Sequence, residues 1–139
     1  MERSDELAAL TVRLYQAVEV GDTAAVERHV SRRTEALFIG TDPTEWWEGA
    51  AAFLAAMRTQ AAAIGGQVRL RPGQLRAYRE GDVGWVVDDG PTLRFPDGGE
   101  LRARHTLLYP GEHGEWRLVH EHVSFGVPNE AVLQQGAAA

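Results

Sequence analysis

No cysteine occurs among the 139 residues. Disulfides, thiolate zinc centres and cysteine nucleophiles are therefore excluded, and a small secreted disulfide scaffold loses its main support. No apolar run approaches the roughly 20 residues of a membrane-spanning helix, and the opening Met1-Glu2-Arg3-Ser4-Asp5-Glu6 is acidic, without a signal peptide's apolar core. A cytoplasmic protein with no membrane partner is the expectation. The formal charge is -6 and no Lys/Arg-rich run is present. Binding to a phosphate backbone draws its affinity from clustered cations, so nucleic acid is not an expected partner. Missing as well are a glycine-rich phosphate loop leading into a helix, a Gly-x-Ser-x-Gly elbow and a Cys/His framework at metal spacing, so no cofactor is expected.

What is present suffices for one core: 44% of residues are apolar, with four Trp, four Phe and three Tyr. The expectation is one domain over residues 1–139, with a core from about 5 to 128 and a short C-terminal tail. Leu7, Leu10, Leu14 and Val18, with Tyr15 beside them, form the stripe of an amphipathic helix that Ser4 or Asp5 can cap. Gly21-Asp22 breaks that pattern, and a short second helix follows with Ala25, Val26, His29 and Val30 on its buried side. Ala36-Leu37-Phe38-Ile39-Gly40 reads as a buried strand, and the Ala-rich stretch from Gly49 to Ile64, stopped by Gly65-Gly66, as the longest helix.

After Gly66 the period changes to two. The rows are Val68, Leu70; Leu75, Ala77; Val83, Trp85, Val87; Leu101, Ala103, His105, Leu107, Tyr109; then Leu118 onward. Turn signals at Glu80-Gly81-Asp82, Pro96-Asp97-Gly98-Gly99 and Pro110-Gly111-Glu112-His113-Gly114 space these runs as an antiparallel meander, with a bend at Pro72-Gly73. Helices that precede a meander must share one face of it, which gives an α+β fold in which a curved sheet wraps the N-terminal helices as a cone. The open end of such a cone leaves a cavity, the default place for a ligand.

Gly21-Asp22 after the first helix, Phe38-Ile39-Gly40-Thr41-Asp42-Pro43 before the long helix, and the closing Trp116…His120-Glu121-His122-Val123-Ser124 resemble the nuclear transport factor 2-like superfamily, and within it the SnoaL-like group. The resemblance runs from about Leu7 to Pro128. It implies a cone-shaped, cystatin-like α+β barrel, a homodimer through the outer sheet face, and a range of roles: ketosteroid isomerases, polyketide cyclases, dehydratases, epoxide hydrolases and non-catalytic association domains. Ketosteroid isomerases place a tyrosine on the first helix, an aspartate base after the first strand and a second acid on the penultimate strand. In this chain those positions fall on Leu14, with Tyr15 one residue on, near Asp42, and on His105.

His105 shares its row with Ala103 and Leu107, while Arg102, Arg104 and Thr106 take the other face, so its imidazole should point into the cone, where it can donate to an oxyanion or act as a base. A core histidine satisfied by a neighbour is the plainer alternative. Asp42, on the loop after the first strand, is a second proton-handling candidate if the pocket desolvates it, or else an Asp-Pro turn initiator. On the last strand Val119, Glu121, Val123 and Phe125 share one face and His120, His122 and Ser124 the other. The apolar set suits the cone, which makes Glu121 a pocket carboxylate and sends the histidines outward, unless a bulge reverses the faces.

Tyr15, Trp46 or Trp47, and Trp85 are expected to shape the cavity, with His120 and His122 held as further substrate contacts; His-x-His could hold a metal only with more ligands than this strand supplies. Asp88-Asp89 opposite Arg102 and Arg104 reads as a solvated sheet face. The leading expectation is therefore a small-molecule binder, read as a cofactor-free acid/base enzyme of ketosteroid isomerase or polyketide cyclase type, taking an apolar molecule in the cone. The alternative is a non-catalytic ligand-binding or association module.

Overall fold

Ser4 accepts a hydrogen bond from the Leu7 amide at 3.2 Å and so starts helix α1, Asp5–Val20. Gly21 closes it in the left-handed conformation (φ 75°), donating to the carbonyls of Ala17 and Val18. The stripe Leu7, Leu10, Thr11, Leu14 and Tyr15 is buried along its whole length. Asp22 caps α2, Thr23–Arg28, through the Ala25 amide at 3.0 Å. The long helix α3, Ala50–Ile64, buries Ala50, Phe53 and Leu54. The computed structural model describes residues 1–138, and it turns the expected tail into a fourth helix, α4, Asn129–Ala138. Val132 and Leu133 of α4 are exposed, and among the described residues it makes no extensive contact with another element, so no buried stripe marks it in the sequence. Ala139, the last residue of that tail, lies outside the described residues.

The strands are β1, Glu2–Arg3; β2, Leu37–Ile39; β3, Trp46–Glu48; β4, Arg69–Arg71; β5, Leu75–Glu80; β6, Val83–Asp88; β7, Thr92–Arg94; β8, Glu100–Glu112; β9, Glu115–Trp116; and β10, His120–Phe125. They form one curved, unclosed sheet in the order β1-β5-β6-β8-β10-β2-β3, with β7 paired to β4 and β8 and β9 paired to β8. β2 and β10 run parallel, and the other pairs are antiparallel. β5, β6, β8 and β10 are the expected meander, and the break between β4 and β5 falls at the expected Pro72-Gly73 bend. β1, β3 and β7 were not legible in the pattern, because two or three residues cannot display an alternation.

β6 presents the parity opposite to the one expected: Gly84, Val86 and Asp88 are buried, and Val83, Trp85 and Val87 face outward. Both rows of β6 contain apolar residues, and the larger ones lie on the outer row. The inner row needs its glycine because α1 lies close: a Cβ on Gly84 would stand 2.2 Å from Leu7 Cδ1. Trp85 therefore does not shape the cavity. Its indole packs on Tyr78 with ring centroids 5.0 Å apart, and its Nε1 donates to Met1 Sδ at 3.3 Å.

The core lies between α1, α3 and the concave face, with Leu7, Leu10, Leu54, Phe38, Val86, Leu107 and Tyr109 all buried. Phe38 of β2 stacks on Phe53 of α3 at 4.2 Å, which ties the parallel edge of the sheet to the long helix. No helix among the described residues is long and apolar enough to cross a membrane. Replacing Phe38 by alanine should cost about 3–5 kcal/mol, the usual range for emptying a buried aromatic site, read from the shift of the urea midpoint at unchanged slope.

Candidate functional site

β8 is the longest strand and the hinge of the site. Along β6 it pairs Asp88 with His105, and along β10 it pairs His105 with Val123, so three inward positions meet in one row. Glu121 lies two residues before Val123 on the same face, the diagonal neighbour within reach of a long side chain. Above this row α1 lays down Tyr15.

The four side chains form one hydrogen-bonded chain. Tyr15 Oη donates to Asp88 Oδ2 at 3.1 Å and lies 2.9 Å from His105 Nδ1. His105 Nε2 lies 2.9 Å from Glu121 Oε2. The Tyr15 and His105 rings are stacked, 5.6 Å between centroids and 11° apart in plane. Asp88 is completely buried, and its carboxylate also accepts the Gly73 amide at 3.1 Å and the Gly90 amide at 3.0 Å. Gly73 leaves the carboxylate room: a Cβ there would meet Asp88 Oδ1 at 2.6 Å and the Gly90 carbonyl at 2.7 Å. The bend at Pro72-Gly73 is thus the lid of a carboxylate cradle. Among the described residues no buried side-chain nitrogen or oxygen lacks a partner.

Tyr15, His105 and Glu121 line a cavity of about 180 Å³, far above the ~10–15 Å³ that one water needs. Its walls are mostly apolar, with Leu14, Trp47, Phe53, Met57, Leu93 and Leu107 among them; Thr41 and Glu45 bring polar groups to it from the β2–β3 turn and Gln60 from α3. A second recess of about 110 Å³ shares Val18, Met57, Leu70 and Leu93 with the first, so the apolar space continues between α1 and α3.

The SnoaL-like domain pattern matches residues 7–128. The chain belongs to the SnoaL-like family. Solved structures with the same fold include an NTF2-like protein of unknown function from Pseudomonas putida, 20% identical over 91% of this chain and 88% of that one, with a TM-score of 0.80. An uncharacterised cystatin-like protein from Caulobacter vibrioides is 17% identical over 97% of both chains, with a TM-score of 0.75. An NTF2-like protein from Streptomyces avermitilis, named as a candidate dehydratase, is 12% identical over 89% of this chain and 96% of that one, with a TM-score of 0.77. No curated protein matches the sequence.

This SnoaL-like chain brings some of the expected residues together and separates others. His105, Glu121, Tyr15 and Trp47 all border the cavity. Asp42 does not: it is exposed, and its Oδ1 accepts the Thr44 amide at 2.8 Å and the Thr44 hydroxyl at 2.6 Å. Those two bonds hold its carboxyl below the ordinary value, the opposite of a desolvated base. Asp42 is a turn former.

Trp46 and Trp47 lie on β3, so strand alternation sends Trp47 inward beside Phe53 and leaves Trp46 58% exposed. His120 and His122 are on the outer side of β10: the His120 ring meets the Leu37 carbonyl at 2.8 Å and His122 is exposed, so neither touches the cavity. No three His, Asp or Glu side chains among the described residues converge as a metal site would require. Asp88, expected on a solvated face against arginines, is the buried member the pattern missed. The signal that could have found it is its shared parity with Gly84 and Val86.

Burial, and after it the Asp88 carboxylate, raise Tyr15 far above the ordinary phenol value; burial does the same for Tyr109, which meets Thr11 Oγ1 at 2.9 Å. Both phenols stay protonated while the protein is folded, whereas unfolded ones ionise near about pH 10. The unfolded state then binds fewer protons than the folded one, so this contribution to stability is complete below about pH 10 and falls as pH rises further. Tyrosinate absorbance in an alkaline titration should show two of the three tyrosines ionising only together with loss of the fold. Tyr15→Phe should destabilise by about 1–3 kcal/mol, because Asp88 and His105 each lose a buried partner; the shift in the urea midpoint measures it.

Proposed function

We propose that the protein is a cofactor-free acid/base enzyme acting on a small, mostly apolar molecule that carries an oxygen function, with His105 and Glu121 exchanging a proton with it. The observation that carries this reading is the hydrogen-bonded chain Asp88–Tyr15–His105–Glu121, whose last two members open onto a mostly apolar cavity. Titratable groups tied together at the wall of an apolar pocket are the usual equipment for proton transfer next to a carbonyl or hydroxyl. Belonging to the SnoaL-like family is consistent with isomerisation, cyclisation or dehydration, and the fold alone selects none of them. The second recess would take an apolar extension of the substrate.

The test begins with a thermal-shift screen of apolar ketones and β-hydroxy ketones. Compounds that stabilise the protein are then incubated with it in deuterated water, and deuterium uptake beside the carbonyl is followed by mass spectrometry. Wild type should accelerate the uptake, and Glu121→Gln or His105→Ala should lower the rate by about 10²–10⁴-fold, the usual worth of a positioned acid or base. Stabilisation of wild type and both variants with no uptake in any of them would make the protein a carrier.

A second copy of the chain is the macromolecular partner this reading assigns, seated on the outer sheet face. In its favour, cross-strand neighbours on that face build two partly apolar rows, Trp85–Leu108–His120–Leu37 and Val87–Thr106–His122–Ile39–Trp46. Trp46 is 58% and Leu108 36% exposed, so a dimer would cover large apolar side chains. Light scattering at micromolar concentration should give a dimer mass, and Trp46→Arg with Leu108→Arg should give a monomer. A monomeric wild type would remove this partner.

A further inference from the structure

Three hydrogen bonds in a row require three protons, and counting them assigns a role to the buried carboxylate. Asp88 only accepts: the amides of Gly73 and Gly90 point at it, and Tyr15 Oη donates its single proton to Oδ2. With that proton committed, the 2.9 Å contact between Tyr15 Oη and His105 Nδ1 is a hydrogen bond only if Nδ1 is the donor. The 2.9 Å contact between His105 Nε2 and Glu121 Oε2 then needs a proton of its own, either on the ring as an imidazolium or on the carboxyl as an acid. A neutral imidazole has only one ring proton, and Nδ1 already holds it.

We propose that Asp88 is a positioning residue which, through Tyr15, fixes a proton on His105 Nδ1 and thereby leaves one surplus proton in the His105–Glu121 link that faces the cavity. This rests on the acid/base reading and sharpens it. The site is loaded as an acid before substrate arrives, so the oxygen that enters the cavity is protonated first: an N–H or O–H bond of the link breaks, an O–H bond forms on the substrate, and a neutral imidazole beside a carboxylate is left to take a proton back. The substrate class that fits is one whose oxygen must gain a proton as a bond to carbon breaks or a carbonyl enolises, such as a β-hydroxy ketone.

Asp88→Asn tests the count, because it keeps the shape and reverses the direction. The amide oxygen can take the bonds from Gly73 and Gly90, while the amide nitrogen donates to Tyr15 Oη; the phenol then donates to His105 Nδ1, and Nε2–H donates to Glu121. Three protons now serve three bonds with no surplus.

The readout is the pair of His105 ring nitrogens in ¹⁵N-histidine-labelled protein, followed by long-range proton–nitrogen correlation at neutral pH without substrate. Nδ1 should be protonated in wild type and bare in Asp88→Asn, and Asp88→Asn placed on Tyr15→Phe should leave Nδ1 as it is in Tyr15→Phe alone. A bare Nδ1 in wild type, a protonated Nδ1 in folded Asp88→Asn, or an equal effect of Asp88→Asn without the phenol would each overturn the proposal. Should Asp88→Asn fail to fold, the wild-type state of Nδ1 decides by itself. No substrate enters this measurement, so it can fail while deuterium uptake succeeds, and the reverse.

Discussion

A carboxylate sealed from water has to find every hydrogen bond inside the protein, and Asp88 finds its own in two backbone amides and one phenol. That requirement shapes much of what surrounds it. The chain must bend at Pro72-Gly73 and turn again at Gly90 to aim both amides, and Gly73 must lack a Cβ for the bend to come close enough. α1 must be placed so that Tyr15, rather than the preceding Leu14, reaches across the concave face. The stripe of apolar residues that seats α1 on the sheet therefore also sets the geometry of the polar chain.

Sheet register does the rest. Asp88, His105 and Val123 are cross-strand partners in one row, so strand pairing alone brings the imidazole within range of a carboxylate on either side. The difference between the two carboxylates is exposure: Asp88 is shut off from solvent, whereas Glu121 reaches a cavity whose walls are mostly aliphatic and aromatic. A low-dielectric wall strengthens the electrostatic interactions at the end of the chain that a ligand can touch. The closed end lies where no ligand can touch it.

His105 and Glu121 were legible in the sequence because each sits in a row of one parity with apolar neighbours on the same face, and β8 and β10 are long enough for alternation to show. Trp85 and Asp88 lie on the opposite sides from those their letters suggest, because the outer row of β6 carries the larger apolar residues and mimics an inner one. Asp42 illustrates a different limit. An Asp-Pro dipeptide after a strand has the same letters whether it faces a cavity or folds back on Thr44, and only the turn's hydrogen bonds distinguish the two. The His-x-His pair is turned outward by strand pairing, the side its parity on the last strand predicts, and so makes none of the substrate contacts also expected of it.

The amino-acid sequence by itself determined the helix stripes, the change of period after Gly66, the meander and the family, because these are set by local periodicity and turn chemistry that survive without knowledge of what packs against what. Only the tertiary structure decided which parity of β6 lies inside, that Tyr15 touches both Asp88 and His105, and that Asp42 stays outside. Those outcomes depend on how close α1 approaches the sheet and on contacts between residues 73 and 90 positions apart in the chain, distances over which a pattern of apolar and polar residues carries no information.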